Sequence, residues 1–442
     1  MLIRPRVILL SLFGLALPHY ASAAPVLSSD PRVDPTRFRV TTFATGLFFP
    51  SSMQQLSDGS LLVATSVPTS GFYNSSGQLR RLVDANADGV ADNAGTVVYS
   101  GLPGSLSSVR KAGNLTVVTS AQTGSITLLS DGVTPASAMS LIGTIHFGFP
   151  TGPDPEHRTY ALATRPTPGV PGSHDVFFNL GSENNFARST RAVSLTGMLT
   201  ASVSGDSIYK FTVNGDGSSV GGLERVASGL RNAAGIAFAA NGDLYFEDNG
   251  IDTPGNRVES LSADELNKIS SADIGGAVED FGYSDRYVQY RTGNIIGTGG
   301  IDPLVAFTPL PNPANGVEAE GANEIAFAPA NFSGGLNAGV FVGFHGQFNL
   351  GGAQNEENAL AWADPSTGKY FNFFAPGQAG VGHLDGLLST TDSLFAADIS
   401  STGSMFTNTA TGVIYQITAV PEPMVSMLLP TVLLLLRRRR MN

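Results

Sequence analysis

An all-β chain, folded as a six-bladed β-propeller with long inter-strand loops, is what this sequence predicts. The first observation behind that reading is composition: 52 Gly and 26 Pro among 442 residues, with Thr, Ser, Val and Phe frequent and long helical runs scarce, as short strands joined by turns require. The second is a recurring unit in which an apolar strand runs into an Asp/Asn-Gly turn and a second strand. The third is the lack of helical crossovers, so the repeated hairpins are best closed into a ring that leaves few exposed edges. A β-helix or a pair of β-sandwiches would use the same strands with less regular spacing.

Taken in order, the first unit is FATGLFFPSSMQQLSDGSLLVAT from Phe43, with its turn at Ser57-Asp58-Gly59. The second is YSGLPGSLSSVRKAGNLTVVTS from Tyr99, turning at Gly113-Asn114, and a third is marked by His174 to Leu180. The fourth, Ser228 to Asp252, pairs Ile236 to Phe238 with Leu244 to Phe246 around Asn241-Gly242 and then enters an acidic loop. The fifth starts at Asn323 and the sixth at Gly382. Units of roughly 60 residues exceed a minimal four-stranded blade and leave room for long loops. One short helix is expected near Ser262 to Lys268, where Ser precedes Asp264 and Glu265 in a capping pattern.

The two ends read as addresses. Arg4 and Arg6, an apolar run from Val7 to Leu17 and Ala21-Ser22-Ala23 form a secretory signal over residues 1–23, cleaved after Ala23. At the other end, Val420-Pro421-Glu422-Pro423, an apolar run from Met424 to Leu436 and Arg437 to Arg440 resemble the PEP-CTERM sorting signal of exported bacterial proteins. That resemblance implies an exosortase-type processing enzyme as partner and a destination at the cell surface or in the extracellular matrix of a Gram-negative-type bacterium. The apolar run falls short of the roughly 20 residues that span a bilayer, so transient insertion with removal fits it better than the alternative, a plain tail anchor, and four Arg would stay on the cytoplasmic side. Residues 24–419 are left as the propeller.

Charge and cysteine narrow the classes. The formal charge of −11 becomes −16 once Arg4, Arg6, Glu422 and the four terminal Arg are removed, which argues against nucleic acid and for divalent cations or neutral ligands. There is no Cys, hence no disulfide, and stability must come from the core, with metal as a further staple. No G-x-S-x-G, P-loop, zinc-spaced or Rossmann pattern is present, which disfavours a serine hydrolase or a nucleotide enzyme.

Six stretches carry a family resemblance: LRRLVDANADGVAD from Leu79, HRTYALATR from His157, FFNLGSENN from Phe177, GLRNAAGIAF from Gly229, DELNKI from Asp264 and GVFVGFHGQFN from Gly339. In this order they resemble the glucose/sorbosone dehydrogenase family, six-bladed propellers that use pyrroloquinoline quinone and calcium to oxidise sugars. The resemblance covers nearly all of the mature chain. It implies His157 as the base that takes a sugar hydroxyl proton, Arg231 and Asn232 against the cofactor, and Asn249, Gly250, Asp264 and Glu265 at a cofactor-side calcium. The sequence departs from the family late in the chain, where Asn358 stands for an expected Lys and His383 for an expected Arg at the cofactor's carboxylates. The alternative it leaves is a non-catalytic propeller that binds polysaccharide or a matrix partner; a lactonase-type hydrolase using one calcium is a third.

One further motif stands apart from that resemblance. Asp84, Asn86, Asp88 and Asp92 fall at positions one, three, five and nine of an oxygen-rich loop with Gly89 at six, the spacing calcium loops use, although Gly95 takes the place of the twelfth-position Glu. A solvated turn would use the same residues. Glu318 with Glu320 and Glu356 with Glu357 sit between Ala, Gly and Asn, as solvated loops do. His345, next to an apolar strand, reads as a core or rim histidine.

Overall fold

The second strand of a blade is sandwiched between the sheets of the two neighbouring blades, and the sequence answers there with apolar residues on both strand faces. The computed structural model describes residues 24–421 except 68–70, 75, 149–155, 159, 310–320, 349, 356 and 408–409, with side chains at 74 and 256–259 also left aside. The expected leader, the sorting signal beyond Pro421, and Glu318, Glu320 and Glu356 lie outside the described residues.

The chain forms the expected six-bladed β-propeller, each blade an antiparallel sheet built on four strands. Blade 1 comprises Ser52–Gln55, Leu61–Ser66, Gly77–Leu82 and Thr96–Leu102. Blade 2 comprises Leu106–Ala112, Leu115–Ser120, Ser125–Ser130 and Ser140–Gly148, widened by the hairpin Ala192–Gly197 and Ala201–Ser204. Blade 3 holds Leu162–Pro166, Ser173–Leu180, Ser207–Asn214 and Val220–Ser228. Blade 4 holds Ile236–Phe238, Leu244–Asp248, Asp264–Ile269 and Val305–Phe307. Blade 5 holds Ala322–Phe327, Val340–Phe344, Leu360–Asp364 and Lys369–Phe374. Blade 6 joins Gly386–Ser389, Ser393–Asp398 and Gly412–Ala419 to an outer strand from the other end of the chain, Phe38–Leu47.

The first strands of successive blades neighbour one another in a closed ring around the channel. The ring is fastened where Phe38–Leu47 pairs antiparallel with Gly412–Ala419. Between each pair of blades lies its own apolar cluster: Phe178 and Val117 belong to the one between blades 2 and 3, Phe246 and Phe177 to the one between 3 and 4, Phe307 and Val342 to the one between 4 and 5. This explains why Leu61–Ser66, Leu115–Ser120 and Ser393–Asp398 are buried at every position instead of alternating.

The fourth unit forms the expected hairpin, with Gly242 at φ 88° in its turn, a backbone region that glycine enters without a Cβ clash. The helix expected near Ser262 to Lys268 does not form. Asp264–Ile269 is a strand paired with Leu244–Asp248, because Leu266 faces the blade 4–5 cluster while Ile269 faces the blade 3–4 cluster. Residues three apart share a helix face but lie on opposite strand faces, so tertiary burial overrides the capping pattern.

Phe43, 3% exposed on the closing strand, packs edge to face on Phe395 with ring centroids 5.2 Å apart. Phe43→Ala is expected to cost about 3–5 kcal/mol, read as a lower urea midpoint at unchanged slope; a loss under about 1 kcal/mol would show that the seam is not what closes the ring.

Candidate functional site

The loops at the channel mouth are held by carboxylates that end second strands. In blade 4, Asp248 accepts backbone N–H bonds from Arg231 (3.0 Å) and Asn232 (2.6 Å). In blade 6, Asp398 does the same for Gly382 (2.8 Å), His383 (3.0 Å) and Ser400 (3.1 Å). Each side chain thus pins the loop that enters its own blade's inner strand. Gly229 begins the blade 4 loop at φ 69°, where a Cβ would lie 2.1 Å from Asp280 Oδ1, so no larger residue fits. Burial outweighs these hydrogen bonds and pushes the carboxyls of Asp248 and Asp398 up to about 7.

Inside this frame, at the starts of the inner strands, lies a cavity of about 590 Å³, in the size range of small-molecule sites. Ser105, Gln122, Asn249 and Asn323 line it together with Glu156, Arg158, His345 and Asp385. His345 Nδ1 lies 2.8 Å from Asp385 Oδ1; the carboxylate accepts that N–H and leaves Nε2 as the basic nitrogen. Nε2 is buried without a hydrogen-bond partner among the described residues. The His345 ring stacks on His383 at a centroid distance of 3.8 Å and 4° between planes. Deeper in the channel, Arg110 of blade 2 donates to Glu324 Oε2 of the opposite blade 5 at 2.5 Å, and below that pair lies a second cavity of about 370 Å³.

The residues that the sequence singles out are placed as follows. His157 is half-buried with Nδ1 2.7 Å from Ser182 Oγ, whose hydroxyl is spent on Asn184 O, so Nδ1 is the donor. Glu156 and Arg158 line the mouth cavity; His157 is not among the described lining residues. Arg231 is buried, with Nε donating to Asn185 (2.9 Å) and Nη2 to Asp252 (3.2 Å). Asn232 donates to Asn249 Oδ1 (2.8 Å), and Asn249 reaches Ala322 O (2.5 Å). Arg231, Asn249, Gly250 and Glu265 do converge, with Asp248 and Arg286, around a cavity of about 20 Å³. Burial, with the Asp248 charge adding to it, pushes the Glu265 carboxyl up to about 8.

Of the calcium ligands implied for this loop, Asp264 and the Asn249 side chain already serve protein groups. Asp264 accepts from Gly250 N (2.7 Å) with one oxygen and from Ala322 N (2.8 Å) with the other, which ties blade 4 to blade 5. Two guanidinium groups share the small cavity with Glu265, an unfavourable setting for a cation. The Asp84 to Asp92 loop sits elsewhere, braced on the closing strand by Ala91 N to Phe43 O (2.7 Å). Asp84 accepts from Asp88 N and Gly89 N, Asn86 from Asp88 N, Asp88 from Val90 N and Asp92 from Ala85 N. Among the described residues no group of three or more His, Asp or Glu is disposed to hold a metal.

No family model and no curated relative matches the chain. Among solved structures, the calcium structure of a Trichoderma reesei carbohydrate-active enzyme of family AA12 matches with TM-score 0.53 at 14% identity, covering 91% of this chain and 99% of that one. The soluble aldose sugar dehydrogenase of Escherichia coli, in its apo form, matches with TM-score 0.53 at 13% identity over 87% of this chain and all of that one (100%). The chain shares their fold.

The quinone that the sequence resemblance implies does not fit this mouth. A tricarboxylate needs cations, and Arg158 is the one Lys or Arg among the described lining residues, set against Glu156 and Asp385. Asn358 donates to Val381 O (3.0 Å) and Gly382 O (2.7 Å). The His383 ring is buried, with Nε2 2.9 Å from Gly403 O and Nδ1 2.7 Å from His345 O, and burial, with His345 next, lowers its pKa to about 4. Neither residue offers a positive charge to a ligand.

His345, Asp385 and the aromatic residues near them are what sequence reading missed as a site. The available signals were that His345 follows directly on an apolar strand and that Asp385 lies two residues after His383 in the sixth unit.

Asp248 and Asp398 carry a consequence for stability. Their folded pKa values stand above the unfolded value of about 4, so between about pH 4 and 7 the folded chain holds protons that the unfolded chain has released. That stabilisation is complete below the unfolded value and is lost as pH rises through the folded one. The thermal midpoint is therefore expected to fall from about pH 5 to about pH 8, and to fall less in Asp398→Asn; a midpoint that rises over this window would contradict the assignment.

Proposed function

We propose that this protein is a carbohydrate-binding propeller on a sugar-dehydrogenase-type fold, its ligand an uncharged sugar held in the mouth cavity. The observation that carries this reading is the cavity wall: Asn, Gln and Ser side chains, an imidazole oriented by the Asp385 carboxylate, and no excess of positive charge. Buried polar groups of this kind recognise hydroxyls by hydrogen bonding and penalise ligands that cannot supply them. The likeness to a carbohydrate-active enzyme and an aldose sugar dehydrogenase supports the ligand class. His157→Ala is expected to leave glycan binding unchanged, since the ring is not part of the described wall.

The second reading, quinone-dependent sugar oxidation with His157 as base and Arg231 and Asn232 at the cofactor, is supported by the convergence of Arg231, Asn249 and Glu265. One experiment separates the two. The protein is titrated with pyrroloquinoline quinone and calcium and assayed for sugar-dependent dye reduction, alongside calorimetric titration with a sugar panel. Glycan binding without quinone binding at micromolar concentration is the expected result, and sugar-dependent dye reduction would overturn it.

Calcium enters the proposal as a structural ion at Asp84, Asn86, Asp88 and Asp92, supported by their oxygen spacing on one turn that braces the closing strand; the carboxylates, which here accept backbone N–H bonds of that turn, would have to reorient toward the ion. Asp88→Ala should lower the thermal midpoint in calcium and leave it unchanged in chelator; equal loss in both would remove the ion from the account. Export through the N-terminal signal and surface sorting through the C-terminal one complete the proposal, placing the propeller where polysaccharide is abundant.

A further inference from the structure

An aromatic cluster stands on the rim of the mouth cavity. Tyr73 of the blade 1 loop, Phe348 of the blade 5 loop and Phe406 of the blade 6 loop are 41%, 52% and 57% exposed. Their rings touch pairwise: Tyr73 and Phe348 at 5.9 Å, Phe348 and Phe406 at 5.6 Å, Tyr73 and Phe406 at 6.2 Å between centroids. Tyr73 and Phe348 line the cavity, and Phe406 does not. The cluster therefore leads from the cavity wall outward over the rim.

Its foundation is rigid. Tyr73 packs edge to face on Phe72 (5.1 Å), and Phe72 on Phe49 (5.7 Å); Phe49, Phe72, Ile399 and Met405 form a separate buried cluster beneath the rim. Phe72 N is held by Met405 O at 2.8 Å, which locks the blade 1 loop to the blade 6 loop. Three large rings left in water on such a base forgo the burial that would stabilise them, although the fold buries most of its other phenylalanines.

From this we infer that Tyr73, Phe348 and Phe406 form a stacking subsite for a sugar ring outside the cavity, so that the ligand is an oligosaccharide whose terminal residue enters the mouth. A pyranose has one face of C–H groups that suits an aromatic face and an edge of hydroxyls that suits the polar wall beyond it. A flat anionic ligand would find the faces but few cations, since Arg158 is the one Lys or Arg among the described lining residues and two carboxylates, Glu156 and Asp385, share the wall with it. The inference rests on the sugar-binding reading above and adds chain length and direction to it.

The test is calorimetric titration of the full chain with mono-, di- and tetrasaccharides of gluco-, galacto-, manno- and xylo-type, for wild type, Phe406→Ala and Phe348→Leu. Wild type is expected to bind one tetrasaccharide series about tenfold tighter than its monosaccharide, the scale of about 1.4 kcal/mol for one well-stacked ring. Phe406→Ala should remove that gain and leave monosaccharide affinity and the thermal midpoint unchanged. Phe348→Leu keeps the apolar volume without the aromatic face and should lose the gain as well. Equal affinity for mono- and tetrasaccharide in wild type overturns the subsite while the sugar-binding reading stands. A gain that survives in both variants also overturns it, and no binding of any sugar overturns the reading beneath it.

Discussion

A buried aspartate at the end of a second strand, holding the backbone of the loop that enters its own blade, is the interaction on which the channel mouth depends. Asp248 and Asp398 occupy equivalent places in blades 4 and 6. Each turns a segment without regular hydrogen bonding into one with fixed backbone direction, because buried N–H groups must find acceptors. Asp264 extends the device sideways by bonding Gly250 in blade 4 and Ala322 at the start of blade 5. The mouth is thus framed by carboxylates that hold backbone donors in place of cations, and because burial outweighs those donors the carboxyls of Asp248 and Asp398 are pushed up to about 7.

The same device explains why Arg231, Asn232 and His383 look like a site in the sequence. They are the residues whose backbone N–H groups the aspartates hold, and their side chains serve neighbouring loops: Arg231 bridges Asn185 and Asp252, Asn232 fixes Asn249, and His383 stacks under His345. What faces the cavity is one step removed from each motif. Asn249 is oriented by Asn232, and His345 by the Asp385 carboxylate and the His383 ring. A motif can therefore be kept for loop geometry while the chemistry of the mouth changes around it.

Most of the fold was legible in the sequence because propeller strands are short, doubly buried and punctuated by turns whose backbone needs Gly. The hairpin of Ile236 and Leu244 around Gly242 is read directly from its residues. Asp264–Ile269 was misread because capping residues and short strands share Ser, Asp and Glu, and only the two apolar clusters it separates decide between them. The site was less legible for a different reason. His345 and Asp385 are 40 residues apart on different blades, and Tyr73, Phe348 and Phe406 come from three loops, so no local spacing announces them. A motif in this fold reports which loop is built, and the ring decides what those loops meet.

Charge then links the mouth to its surroundings. A chain of formal charge −11 disfavours the approach of anions, an effect that falls off within about 10 Å at moderate salt. A tricarboxylate would enter that field and find Arg158 as the one Lys or Arg among the described lining residues, on a wall that also carries the carboxylates of Glu156 and Asp385. A neutral sugar pays no such electrostatic cost and can satisfy amides, hydroxyls and an oriented imidazole with its own hydroxyls. The cross-channel pair Arg110–Glu324 points the same way, because it places the deep cation of the channel on a carboxylate of the opposite blade. With that cation committed, the described residues lining the lower cavity present no further Lys or Arg to an anion, and the sugar proposed above would be held by the upper cavity and the aromatic rim that opens from it.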